Sequence, residues 1–376
     1  MRSLEAELKV GVGDYISALC HSVLRVEPYT SCWFGCAYCY ARWERPVGSP
    51  RPKPWLPRAL EKLWSKLPRG LRLLPFRLST LVDPLQPLEE EHKMTLSILR
   101  TALKHDIPIV LNTKSTLFSR GPWRSLLEEM ASRGLVVLQV SISTVRELTS
   151  ALLEPRAPPG PERFEALSSV SDEVPCVLRL QPLIPGLYEE EADDVIEEAS
   201  RAGVKHVIVE FIRETPGGLR ALYARLGKQG LVDRVAWEPY GRRGRLLRPH
   251  LAYRREVLAD LRRKLRRRGI TVSSCKEGLV ELHDGRDCCG LRFLRPDRTA
   301  YRLTLYDIWA SGGDLNKAVG EALRSEQVVF GPDITGYPNP IRKILRAHEN
   351  RLLKILKDPE VLGGVCPALA AHVRGT

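Results

Sequence analysis

The chain has 376 residues, 43% hydrophobic, 27% charged and 7% aromatic, an ordinary globular composition with ample material for a core. No apolar run approaches the roughly 20 residues of a membrane span, and MRSLEAELKVG lacks the apolar stretch of a secretory signal, so a cytoplasmic protein with no membrane attachment is expected. A formal net charge of +13 favours a polyanionic partner, while five Gln and four Asn against 58 Lys plus Arg and 45 Asp plus Glu suggest a thermophilic source.

Short β-rich runs alternate with helical patterns from about residue 20 to residue 215. The first run, HSVLRV (21–26), leads into EPYTSCWFGCAYCYARW (27–43), where Cys32, Cys36 and Cys39 fall within eight positions among aromatic residues. The Pro-rich GSPRPKPWLPR (48–58) reads as a long loop after this cluster, running into the helical LPRALEKLWSKL. PFRLST (75–80) is the second strand, with Ser79 at its end and Asp83 just beyond, and EEEHKMTLSILRTALK is the helix after it.

IPIVLNT (107–113) precedes Lys114 and the helical GPWRSLLEEMASR, and LVVLQVSIS (135–143) ends in Ser141 and Ser143. VPCVLRLQPLI (174–184) carries Arg179, and VKHVIVEF (204–211), after the helical EEADDVIEEASRAG, carries Glu210. Strands separated by helices of this length predict βαβ units and a parallel sheet. Six units predict an α/β fold of the partial (β/α)6 TIM-like barrel type, with an open doubly wound sheet as the alternative. In a barrel, chemistry gathers at the C-terminal strand ends, where these polar residues and the cysteine cluster all fall. Strand-end capping accounts for the serines but less readily for Lys114 and Arg179.

The pattern changes beyond residue 215, dividing the chain into residues 1–215, the barrel, and residues 216–376, a basic, cysteine-bearing and mainly helical extension. Residues 241–270 hold eleven Arg and one Lys against Glu256 and Asp260, and so carry +10 of the net charge. Leu251, Val257, Leu258, Leu261 and Leu265 recur at helical spacing, which predicts a basic amphipathic helix. Such a helix either meets nucleic acid or is a solvated face.

Zinc would want four ligands, and an iron–sulfur cluster of four irons normally takes four thiolates. The triplet supplies three, with Cys20 and His21 well upstream as further candidates, so one iron would keep an open position.

Cys32-x3-Cys36-x2-Cys39 with Tyr38 before the last cysteine resembles the signature of the radical S-adenosylmethionine (radical SAM) enzymes. PYTSCWFGCAYCYAR, STLVDPLQPLE, NTKS, LEPRAPPGPER and PLIPGL extend the resemblance over residues 28–187 to the branch similar to spore photoproduct lyase. The resemblance implies a [4Fe–4S] cluster on the three cysteines and S-adenosylmethionine on its open iron. It further implies an electron donor such as a ferredoxin and cleavage to a 5′-deoxyadenosyl radical. Matched by motif, Ser79, Lys114, Ser141 and Ser143 would contact S-adenosylmethionine, Tyr38 would pack near its adenine, and Asp83, Arg156 and Arg179 join the cofactor-binding set. Loop-holding salt bridges are the competing reading of Arg156 and Arg179.

The lyases carry a cysteine near the second strand that returns a hydrogen atom to the thymine dimer. PFRLSTLVDP has none, and EPYTSC replaces the branch's Asn-Pro-Tyr-Thr-Gly-Cys form. On the strength of the basic segment a nucleic acid is the expected substrate, and these departures favour RNA or tRNA base modification over DNA lesion repair, with a protein or peptide third. A non-catalytic iron–sulfur or zinc nucleic-acid-binding module is the rival class. Downstream, SSCKEGLVELHDGRDCCG and GGVCP place Cys275, His283, Cys288, Cys289 and Cys366. As in many radical SAM enzymes, Cys275, Cys288, Cys289 and Cys366 could hold a second iron–sulfur cluster. A disulfide, a zinc site using His283, and buried thiols stay open.

Overall fold

A computed structural model describes residues 4–44, 48–241 and 244–374, so Arg242 and Arg243 of the basic segment lie outside the described residues. The sheet strands are β1 (Leu24–Val26), β2 (Phe76–Leu78), β3 (Ile109–Thr113), β4 (Val136–Ser141), β5 (Cys176–Leu183) and β6 (His206–Phe211). A hairpin of β7 (Trp237–Tyr240) and β8 (Leu246–Pro249) follows, and β9 (Thr271–Ser274) completes the set. Seven strands pair in the order β1-β2-β3-β4-β5-β6-β9, all parallel.

The strands read as near-continuous apolar runs because both faces are covered; every residue of β4 and β6 is buried. Helices Leu56–Trp64, Met94–Lys104, Gly121–Ser132 and Tyr188–Arg201 bury their apolar stripes against the outer face. The sheet is open between β1 and β9. Cys288, Cys289, Leu291 and Leu294 cover its inner face, packing with Val110, Val137, Val177 and Ile208 of β3 to β6.

All six expected strands are present, and a seventh, β9, joins them at the sheet edge beside β6. Thr271–Ser274 was missed because four residues after a long helical pattern carry little periodicity of their own. Its pairing with β6 is non-local, and it takes the sheet past residue 215. Helices Leu305–Ala310, Leu315–Arg324, Asn339–Leu356, Pro359–Val365 and Pro367–Arg374 form the tail. They share a separate apolar core with Tyr15 and Ala18 of the N-terminal helix Asp14–Leu19.

Candidate active site

β1 delivers the chain to the cysteine loop, and the segment after β2 holds that loop in place. Glu27, fully buried just after β1, accepts backbone N–H bonds from Thr80 at 2.9 Å, Leu81 at 2.9 Å and Val82 at 3.2 Å, together with the Ser79 hydroxyl. Farther along, the Trp33 backbone N–H donates to Gln86 Oε1 at 2.7 Å, while Gln86 Nε2 donates to the Ser31 carbonyl at 3.1 Å. Cys36 and Cys39 are joined by a turn in which Cys39 N donates to Cys36 O at 3.1 Å. Ala37 N donates to Leu153 O at 2.8 Å, tying the loop to the short helix Glu147–Leu153.

The three loop thiols are partly exposed, whereas Cys176, Cys275, Cys288, Cys289 and Cys366 are buried. Burial, then the nearby Asp83 carboxyl, pushes the Cys32 thiol up to about 12, and burial with Glu154 raises Cys36 well above the ordinary value. A metal centre would therefore displace protons on binding, as thiolate sites do. Among the described residues no three His, Cys, Asp or Glu side chains close around a single metal ion. A partly exposed trio of soft donors with a cation beside it suits a cluster that also takes an outside ligand.

Glu154 is the centre of the polar network at this rim. Its side chain is 1% exposed and pairs with the wholly buried Arg163. Arg163 in turn donates to Pro158 O at 2.6 Å and to Ser141 O at 2.7 Å, fixing the end of β4. Glu154 also accepts the Tyr38 hydroxyl and lies 3.2 Å from Lys114 Nζ. The Lys114 ammonium stands 5.5 Å from the centre of the Tyr38 ring, and the Tyr38 and Ser143 hydroxyl oxygens are 3.3 Å apart. Burial brings Lys114 down to about 8, so the fold holds a cation ready to be neutralised by an anion. Glu154 lies two residues before Arg156 in the LEPRAPPGPER stretch.

Ser141 donates to Asn112 Oδ1 at 3.2 Å, so it stands at the same rim beside β3. Asp83 is a structural tie: it accepts from Thr113 Oγ1 at 2.7 Å, Lys114 N at 2.6 Å and Leu85 N at 3.0 Å. Ser79 is turned to Glu27 and to Val82 O, at 2.8 Å from the latter. Arg156 lies 5.0 Å from the Trp33 ring and against Gly35, where an added Cβ would meet its Nη2 at 2.6 Å. Arg179 faces the barrel interior, donating to Gln139 Oε1 at 3.1 Å and lying 3.9 Å from Glu210.

The structure brings Cys275, Cys288 and Cys289 together but leaves Cys366 in the tail core. Cys20 takes the place beside them, within electrostatic reach of Cys289 and Cys275. Cys288 and Cys289 Sγ are 3.9 Å apart, and Arg77 Nη1 lies 3.8 Å from Cys289 Sγ. His283 shares a hydrogen bond with Ser274 Oγ at 2.8 Å, and burial lowers it to about 4.

The basic helix is Leu251–Arg266, and its apolar side packs inward through Val257, Leu258, Leu261 and Leu265. Every basic side chain on it has a carboxylate partner. Arg254 pairs with Glu238 and Glu277, Arg255 with Glu281, and Arg262 and Arg266 with Asp284. Arg263 pairs with Asp260, and Lys264 with Asp193 and Asp260. Most of these partners come from other elements, so the charge of the helix itself is largely compensated in space.

Residues 26–199 match the family model of the radical SAM superfamily. The uncharacterized protein ORF301 of Acidianus two-tailed virus is 25% identical over 233 residues, covering 56% of this chain and 74% of its own. A spore photoproduct lyase variant with dinucleoside spore photoproduct shares the fold at a TM-score of 0.51 and 16% identity, over 73% of this chain and 80% of that one. A second variant of that lyase gives 0.50 and 17% identity, over 73% and 81% of the two chains.

Proposed function

We propose that this chain is a radical SAM enzyme that modifies a nucleic acid, with an RNA base, in a tRNA above all, as the favoured target. The observation that carries the catalytic part is the meeting of the Cys32–Cys39 loop with Lys114, Ser143 and Glu154 at one rim. Cys32, Cys36 and Cys39 would hold a [4Fe–4S] cluster and leave one iron for S-adenosylmethionine. With an electron from a donor such as a ferredoxin, that pair supplies a 5′-deoxyadenosyl radical.

The protein's part is to place and shield. Lys114 offers its ammonium to the carboxylate of S-adenosylmethionine, and the hydroxyls of Ser141 and Ser143 stand beside it for the amine and ribose. Tyr38, held through Glu154, presents its ring for the adenine. The buried Glu154–Arg163 pair keeps these groups in register.

Support for a nucleic acid comes from the net charge of +13 and from a protein of the same fold that holds a dinucleoside. DNA lesion repair is the second reading on that same neighbour, weakened by the absence of a cysteine in PFRLSTLVDP. Anaerobic reconstitution tests the central reading: 5′-deoxyadenosine should be released under reduction and lost in Cys36→Ala. Release unchanged by that substitution would sink it. For the substrate, binding to tRNA and to duplex DNA at several salt concentrations decides, and indifference to both removes the nucleic acid. Iron left in a protein with Cys32→Ala, Cys36→Ala and Cys39→Ala would assign a second cluster to Cys20, Cys275, Cys288 and Cys289. No iron left would assign these four thiols to packing.

A further inference from the structure

The barrel mouth is edged by aromatic rings that the fold leaves in water. Trp33 and Trp43 are each 41% exposed and Tyr40 is 36% exposed, so each ring keeps more than a third of its surface in water. All three belong to the Cys32–Trp43 stretch that carries the loop thiols. Each ring has a cation beside it: Arg156 at 5.0 Å from Trp33, Arg42 at 5.0 Å from Trp43 and Lys276 at 5.5 Å from Tyr40.

These cations come from separate elements. Arg42 is tied to Glu214 after β6 and donates to Ala37 O at 2.8 Å, which holds Trp43 near the end of β6. Lys276 follows β9 and lies 3.5 Å from Glu210, while the Tyr40 hydroxyl donates to Thr80 O after β2. Tyr40 therefore spans the mouth from the β2 side to the β9 side. Among the described residues Arg156 has no carboxylate within ion-pair distance, so its charge remains open to an outside anion.

We propose that Trp33, Tyr40 and Trp43 form a stacking platform for unpaired bases of a single-stranded nucleic-acid segment, with Arg156 set to take a phosphate. The proposal rests on the nucleic-acid reading above and deepens it. Exposed ring faces suit bases whose own faces are free, whereas the bases of a duplex are stacked on one another. An acidic peptide would engage the cations but leave three ring faces in water. Placing the platform on the thiol-bearing loop puts a stacked base beside the source of the radical.

The test uses the full chain with its cluster reconstituted, and fluorescein-labelled oligo(U), oligo(dT) and a duplex of equal length. Anisotropy should show single strands binding more tightly than the duplex. Trp43→Ala and Tyr40→Ala should each weaken single-strand binding by about 5-fold or more, with smaller losses on the duplex. Trp43→Phe should restore most of the affinity. Trp33→Ala is compared at matched iron content, because Cys32 is its neighbour. Single-strand affinities within about twofold of the parent in all three alanine variants would overturn the platform. Salt-dependent tRNA binding that survives in those variants would leave the nucleic-acid reading standing without it. Absence of binding to every nucleic acid would remove both.

Discussion

The Lys114 ammonium lies 3.2 Å from a carboxylate oxygen of Glu154, and the same carboxylate is the only partner that the buried Arg163 guanidinium has among the acidic side chains described. One residue thus fixes a mostly buried rim cation, an interior cation and the Tyr38 hydroxyl. Removing half of a buried pair leaves an uncompensated charge, at a cost of about 3–5 kcal/mol. Glu154→Ala should therefore lower the denaturation midpoint strongly. Glu154→Gln with Arg163→Met should recover part of that loss, because neither charge is then stranded. Equal stability of Glu154→Ala and the parent would show that the pair is not buried as described.

Acid should unfold the protein through its buried histidines. His348 sits between Ser17, 3.0 Å from its Nδ1, and Val10 O, 3.2 Å from its Nε2, joining helix Asn339–Leu356 to the N-terminal segment. Burial, then Arg302, depresses it to about 3, and His206 is likewise lowered to about 3 by burial and Arg292. A depressed histidine is neutral in the folded chain but takes a proton in the unfolded one below pH about 6.5. Its contribution is intact above that pH and lost as the pH falls towards 3, by about 1.4 kcal/mol per pH unit for each group. Urea midpoints measured from pH 7 to pH 4 should fall, and less steeply in His348→Asn. An identical slope in that variant would contradict a neutral His348.

The ion pairs along Leu251–Arg266 make a different prediction from the one its charge invites. If those side chains serve the fold, Arg255→Gln and Arg263→Gln, both on exposed pairs, should change stability by about 0–1 kcal/mol each. They should leave the salt dependence of tRNA binding where it was. A helix contacting phosphates would instead lose about one unit of the log–log salt slope per residue replaced. Binding titrations across a salt series on the two variants separate these outcomes.

What could be read from the chain was local. The apolar runs of β3 to β6 show their strands plainly because both faces are buried, and Lys114, Ser141 and Ser143 fall at the rim by position alone. What could not be read was pairing between distant segments. Asp284 meets Arg262 and Arg266, and Cys20 meets residues more than 250 positions away, contacts that no periodicity encodes. Glu154 was missed for a related reason, since a lone carboxylate in a Pro-rich loop gives no sign that two cations will fold onto it. β9 was too short to register until its partner β6 was in view.

The join between sheet and helical tail is tight at Gly278. Gly278, three residues after Cys275, adopts φ +74°, and a Cβ there would stand 2.0 Å from Val365 O and 3.0 Å from Cys366 Cα. Both atoms are backbone, so the clash is relieved only by moving the turn before helix Pro367–Arg374. The left-handed conformation adds roughly 1 kcal/mol for any residue with a Cβ, and overpacking costs about 1–3 kcal/mol more. Gly278→Ala should thus destabilise the protein by several-fold more than Gly230→Ala, where nothing lies within 4 Å and φ is ordinary. Hydrogen exchange should locate the loosening in the tail helices while β3 and β4 stay protected. Equal midpoints for the two variants would mean that the tail does not bear on Gly278.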